Sequence, residues 1–562
     1  MRSYLKSNKW YKQCFAALVM ATMLSACQKD EVELQDPYAG GKASLGIEFT
    51  SKTPAPAVAS PGELVELKVK GLKKYQGKFK FFVNELEAEI VELTDDLISF
   101  RVPNDASTGG LWITLNDSSA GIDNQTFFGP GLQIAGKLSV DKTFAVINGA
   151  NSTVYSPLRL PSGNFLFGGA FDDYETTKVA NLGLGGIVQV NSLGAVDNSM
   201  KFGVGANGPI TSMSRINAGS QTGKFLVGGI FSSFNSRKST RQNINFLTRL
   251  NVDGSLDTAF VDVVNLTPND PTKNKDTVPS FNGGVGFGNG FTGGVLVKRV
   301  FSLGDKVYVV GNFGRYLKAF YERSTFDTKV YDATTIRQVV KMSADGSMDS
   351  TYRFDVSSKT SPASGNGAIN DAIQLADGSL VLVGSFTSFD GSTKNRIVKL
   401  KPDGTIDQTF ATGTGANNQI HSIGYNATTN KIVIAGDFTT FNGQPLSGVA
   451  LLNVDGSVSS GFTFPSISGG TPTFARQINN GKIIVSGTFN RYSGVLRQGF
   501  MVLNSNGSLA NGYNNTGVFI GQIYDMVEVT SADGNPAAIL VGEIIRFNNS
   551  AAHNVIKIEL QN

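Results

Sequence analysis

Residues able to do acid–base or covalent chemistry are few in this chain, and they are scattered. Its two histidines, His421 and His553, lie far apart and in no recognisable motif. A general base needs an orienting partner and a reacting group within reach. No HExxH, GxSxG, phosphate-binding loop or cysteine pair supplies one. His421 follows Ile420 at the start of a predicted strand that can line a channel, and we read it as structural. Aspartates recur in pairs at Asp253/Asp257, Asp345/Asp349 and Asp403/Asp407, and such oxygen ligands suit calcium. Each first aspartate, however, stands in a turn where its carboxylate caps nearby amides, and the further oxygens of a calcium loop are missing. No metal and no cofactor is expected. Glu322, Asp327 and Asp332 make the one local carboxylate cluster. A glycosidase or lyase needs two carboxyl groups across one bond, and separate repeats could supply them. The reading adopted is that the protein is not an enzyme and has no catalytic residue.

Recognition chemistry is better represented. The expected ligand-binding residues are Arg315, Tyr316, Phe320, Tyr321, Arg323 and Tyr331, joined by Phe287 and Phe291. Aromatic faces beside arginine serve carbohydrate or protein recognition; the same rings could instead pack long loops onto a scaffold. Gly283 to Gly294 lacks the strand–loop–helix setting of a phosphate cradle and reads as a flexible loop. The net charge is only +4, and four basic residues, Arg2, Lys6, Lys9 and Lys12, cluster at the N-terminus. The remaining basic residues form no stripe, so no nucleic acid partner is expected.

The elements that must hold these residues repeat. A Gly-x-Phe-like step ends a short apolar run at Gly169-Ala170-Phe171, Gly229-Ile230-Phe231, Gly311-Asn312-Phe313, Gly384-Ser385-Phe386, Gly436-Asp437-Phe438, Gly487-Thr488-Phe489 and, degenerately, Gly542-Glu543-Ile544. Successive glycines lie 51 to 82 residues apart. Strand-like units at that period stack or circle, because none buries its apolar face alone. Residues 368–410 read as four antiparallel strands, A to D, with turns at Asp377-Gly378 and Asp403-Gly404. Asp-Gly predicts a type I′ turn, with positive φ at both central residues. The C–D turn recurs at Leu193-Gly194, Asp253-Gly254, Asp345-Gly346, Asp455-Gly456 and Asn506-Gly507. Four-stranded sheets repeated radially are propeller blades.

The seventh repeat stops at Ile556 to Leu560 without its D strand, whereas Gly136 to Phe144 reads as a turn and D strand with no blade before it. The expected fold class is therefore all-β, with a seven-bladed β-propeller closed by an N-terminal strand that completes the last blade. Such closure leaves no free edge between first and last blades; an open array with ragged ends is the alternative. The long insertions are Asp172 to Leu184, Val261 to Thr292 and Gly314 to Thr335. All fall in B–C loops or D–A crossings, which share one face, and that loop-rich face is the expected binding side.

The pattern Gly-x-Phe, then Ile/Val-x-Arg/Lys-Leu-x-x-Asp-Gly-Ser/Thr-Leu/Ile-Asp-x-x-Phe, is best kept at Phe231 to Phe260 and Phe386 to Phe410. It resembles the delta-60 repeat of bacterial β-propellers and covers residues 132–562; the resemblance implies a fold and no activity. Before it, residues 45–131 alternate as short strands punctuated by Pro61-Gly62, Gly71, Val102-Pro103 and Gly109-Gly110. This suits a small immunoglobulin-like β-sandwich and resembles IPT/TIG domains, which act as spacers in surface proteins. Trp112, at an alternating apolar position, is expected in its core.

The N-terminus reads as a signal peptide over residues 1–26: a basic stretch, then Phe15 to Leu24, too short to span a bilayer. Leu24-Ser25-Ala26-Cys27 resembles a bacterial lipobox, which implies a lipid on Cys27 as the membrane partner. Cys14 would leave with the signal, so no disulfide is available. Gln28-Lys29-Asp30-Glu31 resembles the tag that sends Bacteroidetes lipoproteins to the exterior of the outer membrane, and residues 27–44 read as a lipidated tether. The expectation is a non-catalytic, outer-membrane, lipid-anchored protein that binds an extracellular glycan or protein through the loop-rich propeller face. The alternative is a structural or adhesion subunit of an outer-membrane assembly.

Overall fold

The computed structural model describes residues 44–561 except 145, 178–183, 236–243 and 289–295. The expected signal peptide, Cys27, nearly all of the tether and Phe291 therefore lie outside the described residues. Up to Ile134 the chain forms two facing sheets. One orders Glu48–Phe49, Leu64–Lys70, Leu97–Arg101 and Glu89–Leu93; the other orders Val58–Ala59, Ile122–Ile134, Gly109–Asp117, Phe79–Val83 and Leu86–Glu87. Alternation along Leu64–Lys70 sends Val65, Leu67 and Val69 inward, where they join Phe81, Phe100 and Ile113 in one core. Trp112 has the opposite parity. Leu111 and Ile113 on either side of it are buried, so Trp112 lies on the outer face, stacked on Phe82 with ring centroids 4.1 Å apart. It is not the core residue expected: a period of two sends it outward once its branched neighbours point in.

Seven further sheets among the described residues share one plan, with strand B between A and C. In the first these are Val154–Arg159, Phe165–Gly169 and Ile187–Val190; in the fourth, Ile369–Gln374, Leu380–Gly384 and Ile397–Leu400. Each strand A packs on the A strand of the next sheet, and the seventh, Ile520–Thr530, packs on the first. The A strands therefore surround an axis, and the architecture is a β-propeller.

The repeated glycine has a steric cause. Every A strand carries a β-bulge near its start, where one extra residue has no cross-strand partner: Tyr155, Thr211, Lys298, Asn370, His421, Thr473 and Tyr524. In the fourth sheet Ile369 faces Gly384 and Asp371 faces Val383, so Asn370 is the extra residue. The bend turns the carbonyl of Ala368 across the ladder to accept the Ser385 amide at 2.9 Å. A Cβ on Gly384 would meet that oxygen at 2.0 Å, and at the other six step glycines the equivalent distance is 2.0–2.3 Å. The last residue of each step, Phe171 to Ile544, is at most 2% exposed and fills the space between sheets.

The structure corrects two details. The turn glycines have positive φ (Gly404 at 87°) but the aspartates before them do not, so these are not type I′ turns. Asp403 instead accepts the Thr405 amide at 2.9 Å, fixing a turn with glycine alone in the left-handed region. Strand D is also shorter than expected, a single bridge such as Leu400 to Ile406 in six sheets. Asp407 accepts the amide of Thr409 at 3.0 Å, which turns the chain away from the ladder.

The seventh sheet takes its outer strand from before the ring. Leu138, Ser139 and Val140 pair antiparallel with Leu560, Glu559 and Ile558. Lys557 and Asp141 form a 2.9 Å ion pair with side chains 6% and 2% exposed. The same strand-C cation and strand-D aspartate pair within the repeats as Lys399–Asp407, Lys341–Asp349 and Arg249–Asp257. The closing contact thus reuses an intra-blade contact between distant parts of the chain.

Three predictions follow from these contacts. Gly384→Ala should cost about 1–3 kcal/mol or more through overpacking, while Gly110→Ala, which meets nothing within 4 Å, should change chemical denaturation midpoints little; equal effects would refute the steric account. Asp141→Ala should cost about 3–5 kcal/mol, because it strands a buried ammonium, and Asp141→Leu combined with Lys557→Met should recover most of it. For acid stability, burial raises the Asp349 carboxyl, but hydrogen bonds from Thr351 and Lys306 outweigh it and hold it at about 2. Its contribution is complete above the ordinary carboxylate value and is lost as pH falls toward 2, so melting temperature should drop across that window.

Candidate functional site

The seven extra residues point to one place. Tyr155, Thr211, Lys298, Asn370, His421, Thr473 and Tyr524 all line an axial cavity of about 380 Å³, within the usual size range for small-ligand sites. Pro209, Ile230 and Leu296 also line it. These lie at the starts of A strands and the end of a B strand, so the cavity belongs to the face of the D–A crossings and B–C loops. Bulges of this kind re-aim side chains and are over-represented beside binding and active sites.

In six of the seven A strands the next residue fastens the blades; in the sixth it is the apolar Phe474. Ser156 accepts the Met213 amide at 3.1 Å, Ser212 that of Val300 at 3.0 Å, Asp371 that of Ile423 at 3.1 Å, and Ser422 that of Ala475 at 3.2 Å. At the third and seventh blades the fastening is ionic. Arg299 reaches Asp371 and Asp525 at 2.7 Å each, and Arg476 lies 3.4 Å from Asp525 and 3.9 Å from Asp371. Burial pushes the Asp525 carboxyl up, but Arg299 and Arg476 more than offset this and hold it below the ordinary carboxylate range. Burial likewise draws Arg299 down, and its two aspartates override that. Both axial carboxylates are thus ion-paired.

The bulge residues divide by what their polar atoms do. Thr211 donates to Val297 O at 2.5 Å, Asn370 to Ile420 O at 2.9 Å, and His421 Nε2 lies 2.9 Å from Asp437 Oδ1. Thr473 Oγ1 is buried without a hydrogen-bond partner among the described residues. Tyr155 and Tyr524 meet edge to face, centroids 4.9 Å apart. This half of the ring offers donors and aromatic surface to a guest.

The residues predicted for binding lie elsewhere, on the insertions around the third blade. These insertions fold. Thr258–Asp262 pairs with Lys275–Pro279, and Gly284–Gly286, Arg315–Ala319 and Tyr331–Thr335 form a sheet. Part of the expected glycine loop is therefore strand, and residues 289–294 of it lie outside the described residues. Lys329 and Asp276, 4% and 1% exposed, lock the two insertions with a 2.9 Å ion pair. Tyr316 is a core residue, 4% exposed, donating to Gly346 O at 2.8 Å; it cannot contact a ligand as expected. Burial pushes the Tyr321 and Tyr331 phenols up as they pack onto the insertion, and Asn245 hydrogen-bonds Tyr331. Arg315, Arg323, Phe320 and Phe287 remain exposed, with Arg323 5.3 Å from the Phe320 ring and Phe287 edge-on to Phe246. None of the seven predicted residues that are described lines the axial cavity. Glu322, Asp327 and Asp332 do not line it either; Asp327 sits 3.5 Å from Lys273.

Comparison with known proteins agrees with this architecture. Residues 23–130 match a domain of unknown function, DUF5008, and residues 375–410, 428–462 and 478–510 match DUF5122, a β-propeller domain of unknown function. No curated protein matches the chain. Among solved structures, one similar chain is a structural genomics protein of unknown function from Bacteroides thetaiotaomicron, 11% identical, covering 92% of this chain and 98% of its own, TM-score 0.24. An auxiliary nutrient binding protein from Bacteroides ovatus is 9% identical over 92% and 90%, TM-score 0.23. Another protein so described, from Bacteroides thetaiotaomicron, is 10% identical over 69% and 94%, TM-score 0.20. No helix among the described residues is long and apolar enough to cross a membrane.

The ionic fastening is testable. Arg299→Met leaves Asp371 and Asp525 with Arg476 alone, so the Asp525 carboxyl should rise. The pH at which acid melts the protein should move upward relative to wild type; an unchanged acid midpoint would show that the quartet is not coupled to folding.

Proposed function

We propose that this protein is a non-catalytic, lipid-anchored surface protein that binds an extracellular glycan in its axial cavity, with the insertion-bearing face as the approach. One observation carries the reading: seven repeats each place a bulge residue on a single cavity, and those residues differ. Tyr, Thr, Lys, Asn, His, Thr and Tyr make a heterogeneous lining suited to one asymmetric guest. Aromatic faces and hydroxyl or amide partners are what a pyranose ring needs. Anchoring through Cys27, and exposure to the cell exterior, rest on the lipobox-like residues and the acidic tag of the sequence. The paired state of Asp371 and Asp525 supports binding without turnover.

A second reading, docking on an outer-membrane protein, draws on exposed Phe287, Phe320, Arg315 and Arg323, since aromatic and arginine side chains anchor protein interfaces. The two readings separate cleanly. In native affinity gels containing polysaccharides, the mature protein should be retarded, and Tyr155→Ala with Tyr524→Ala should weaken retention about tenfold or more, the loss expected for two aromatic contacts. Pull-down from outer membranes that survives these changes but fails with Phe287→Ala and Phe320→Ala, with no gel retention, would establish the second reading instead.

A further inference from the structure

Lys298 brings a cationic side chain to the cavity wall. It is the extra residue of the strand Leu296–Leu303, half-buried in the cavity wall. Among the described residues its ammonium has no hydrogen bond or ion pair, and burial draws it down from its ordinary value, with Asp371 only partly opposing. The nearby anions are engaged elsewhere. Asp371 and Asp525 face Arg299 and Arg476, two charges against two. Asp437 accepts from Gln419 Nε2 at 2.8 Å and lies against His421. Glu543, in the step after the seventh B strand's glycine, is exposed, where water and salt meet its demand. A half-buried ammonium has less of that relief, and an incoming carboxylate would supply the missing partner through a charge-assisted hydrogen bond.

We propose that the cavity takes a hexuronate unit of an acidic polysaccharide, its carboxylate on Lys298 Nζ and its ring against Tyr155 and Tyr524. This rests on the glycan-binding reading above and narrows its substrate class. A single ammonium matches the single charge of a carboxylate; a phosphate dianion carries a second charge, and both axial arginines that could meet it are held by aspartates.

The test is native affinity electrophoresis in gels containing polygalacturonate or alginate, beside gels containing dextran or neutral galactan. Wild type should be retarded by a polyuronate. Lys298→Met should lose tenfold or more in apparent affinity, Lys298→Arg should keep most of it, and the surface control Lys401→Met should match wild type. Lys298→Met should also melt no lower than wild type, because its ammonium has no partner to lose; a lower melting temperature would assign Lys298 a structural role and overturn the proposal. Retention by neutral polymers only, equal in wild type and Lys298→Met, overturns the uronate assignment and leaves glycan binding intact. Equal losses in Lys298→Met and Lys401→Met would mean diffuse charge attraction, also overturning it. Retention by no polysaccharide removes the glycan reading, and this proposal with it.

Discussion

A carbonyl oxygen pressed against a glycine Cα is the contact from which this propeller is built. When strand A accepts one residue more than strand B can pair, the backbone bends and the preceding carbonyl swings across the ladder. Only a residue without Cβ can face it, since the oxygen lies 2.0–2.3 Å from where that atom would stand. The bend frees one side chain per blade from the ladder and turns it to the axis, while in all but the sixth blade the following residue is polar and reaches another blade. Architecture and site therefore share one cause: the glycines repeat because the bulges repeat, and the cavity has its lining because the bulges agree in height.

Charge is used in a similar repeated way. An aspartate after the C–D turn caps the local chain and meets a cation from strand C eight residues earlier, as with Arg249 and Asp257. Where the ring closes, Lys557 and Asp141 make the same contact across almost the whole propeller. A polar pair inside a sheet edge contributes modestly to stability but specifies register well, since a mispaired edge would bury an uncompensated charge. At the axis, the Arg299–Asp371–Asp525–Arg476 quartet ties blades that are not neighbours in sequence, so the wall of the cavity is rigid where a guest would press on it.

Much of this was legible in the residues. The Gly-x-Phe step announced the repeat, and the missing strand of the seventh unit matched the orphan at Gly136 to Phe144. Asp-Gly marked the turns but not their type, because the aspartate side chain, rather than a second positive φ, satisfies the turn. Trp112 was misplaced for want of a parity reference, and Tyr316 because an aromatic in a long insertion reads alike whether it packs inward or outward. The cavity residues were hidden for another reason. Each extra residue precedes its glycine by 13 to 18 residues, a distance that varies with the A–B turn, so no fixed spacing marks Tyr155, Lys298 or Tyr524. Their roles become visible only when the ladder shows which residue has no partner.

The closing strand also orders events in time. Asn554 reaches back 404 residues to the carbonyl of Ala150, and Leu138–Val140 finds its ladder only on Val555–Leu560. The early strand remains an open edge until the last strands of the ring are in place. Contacts of such separation form slowly, and an unpaired edge attracts other chains meanwhile. A chain cut short anywhere in the ring keeps that edge exposed.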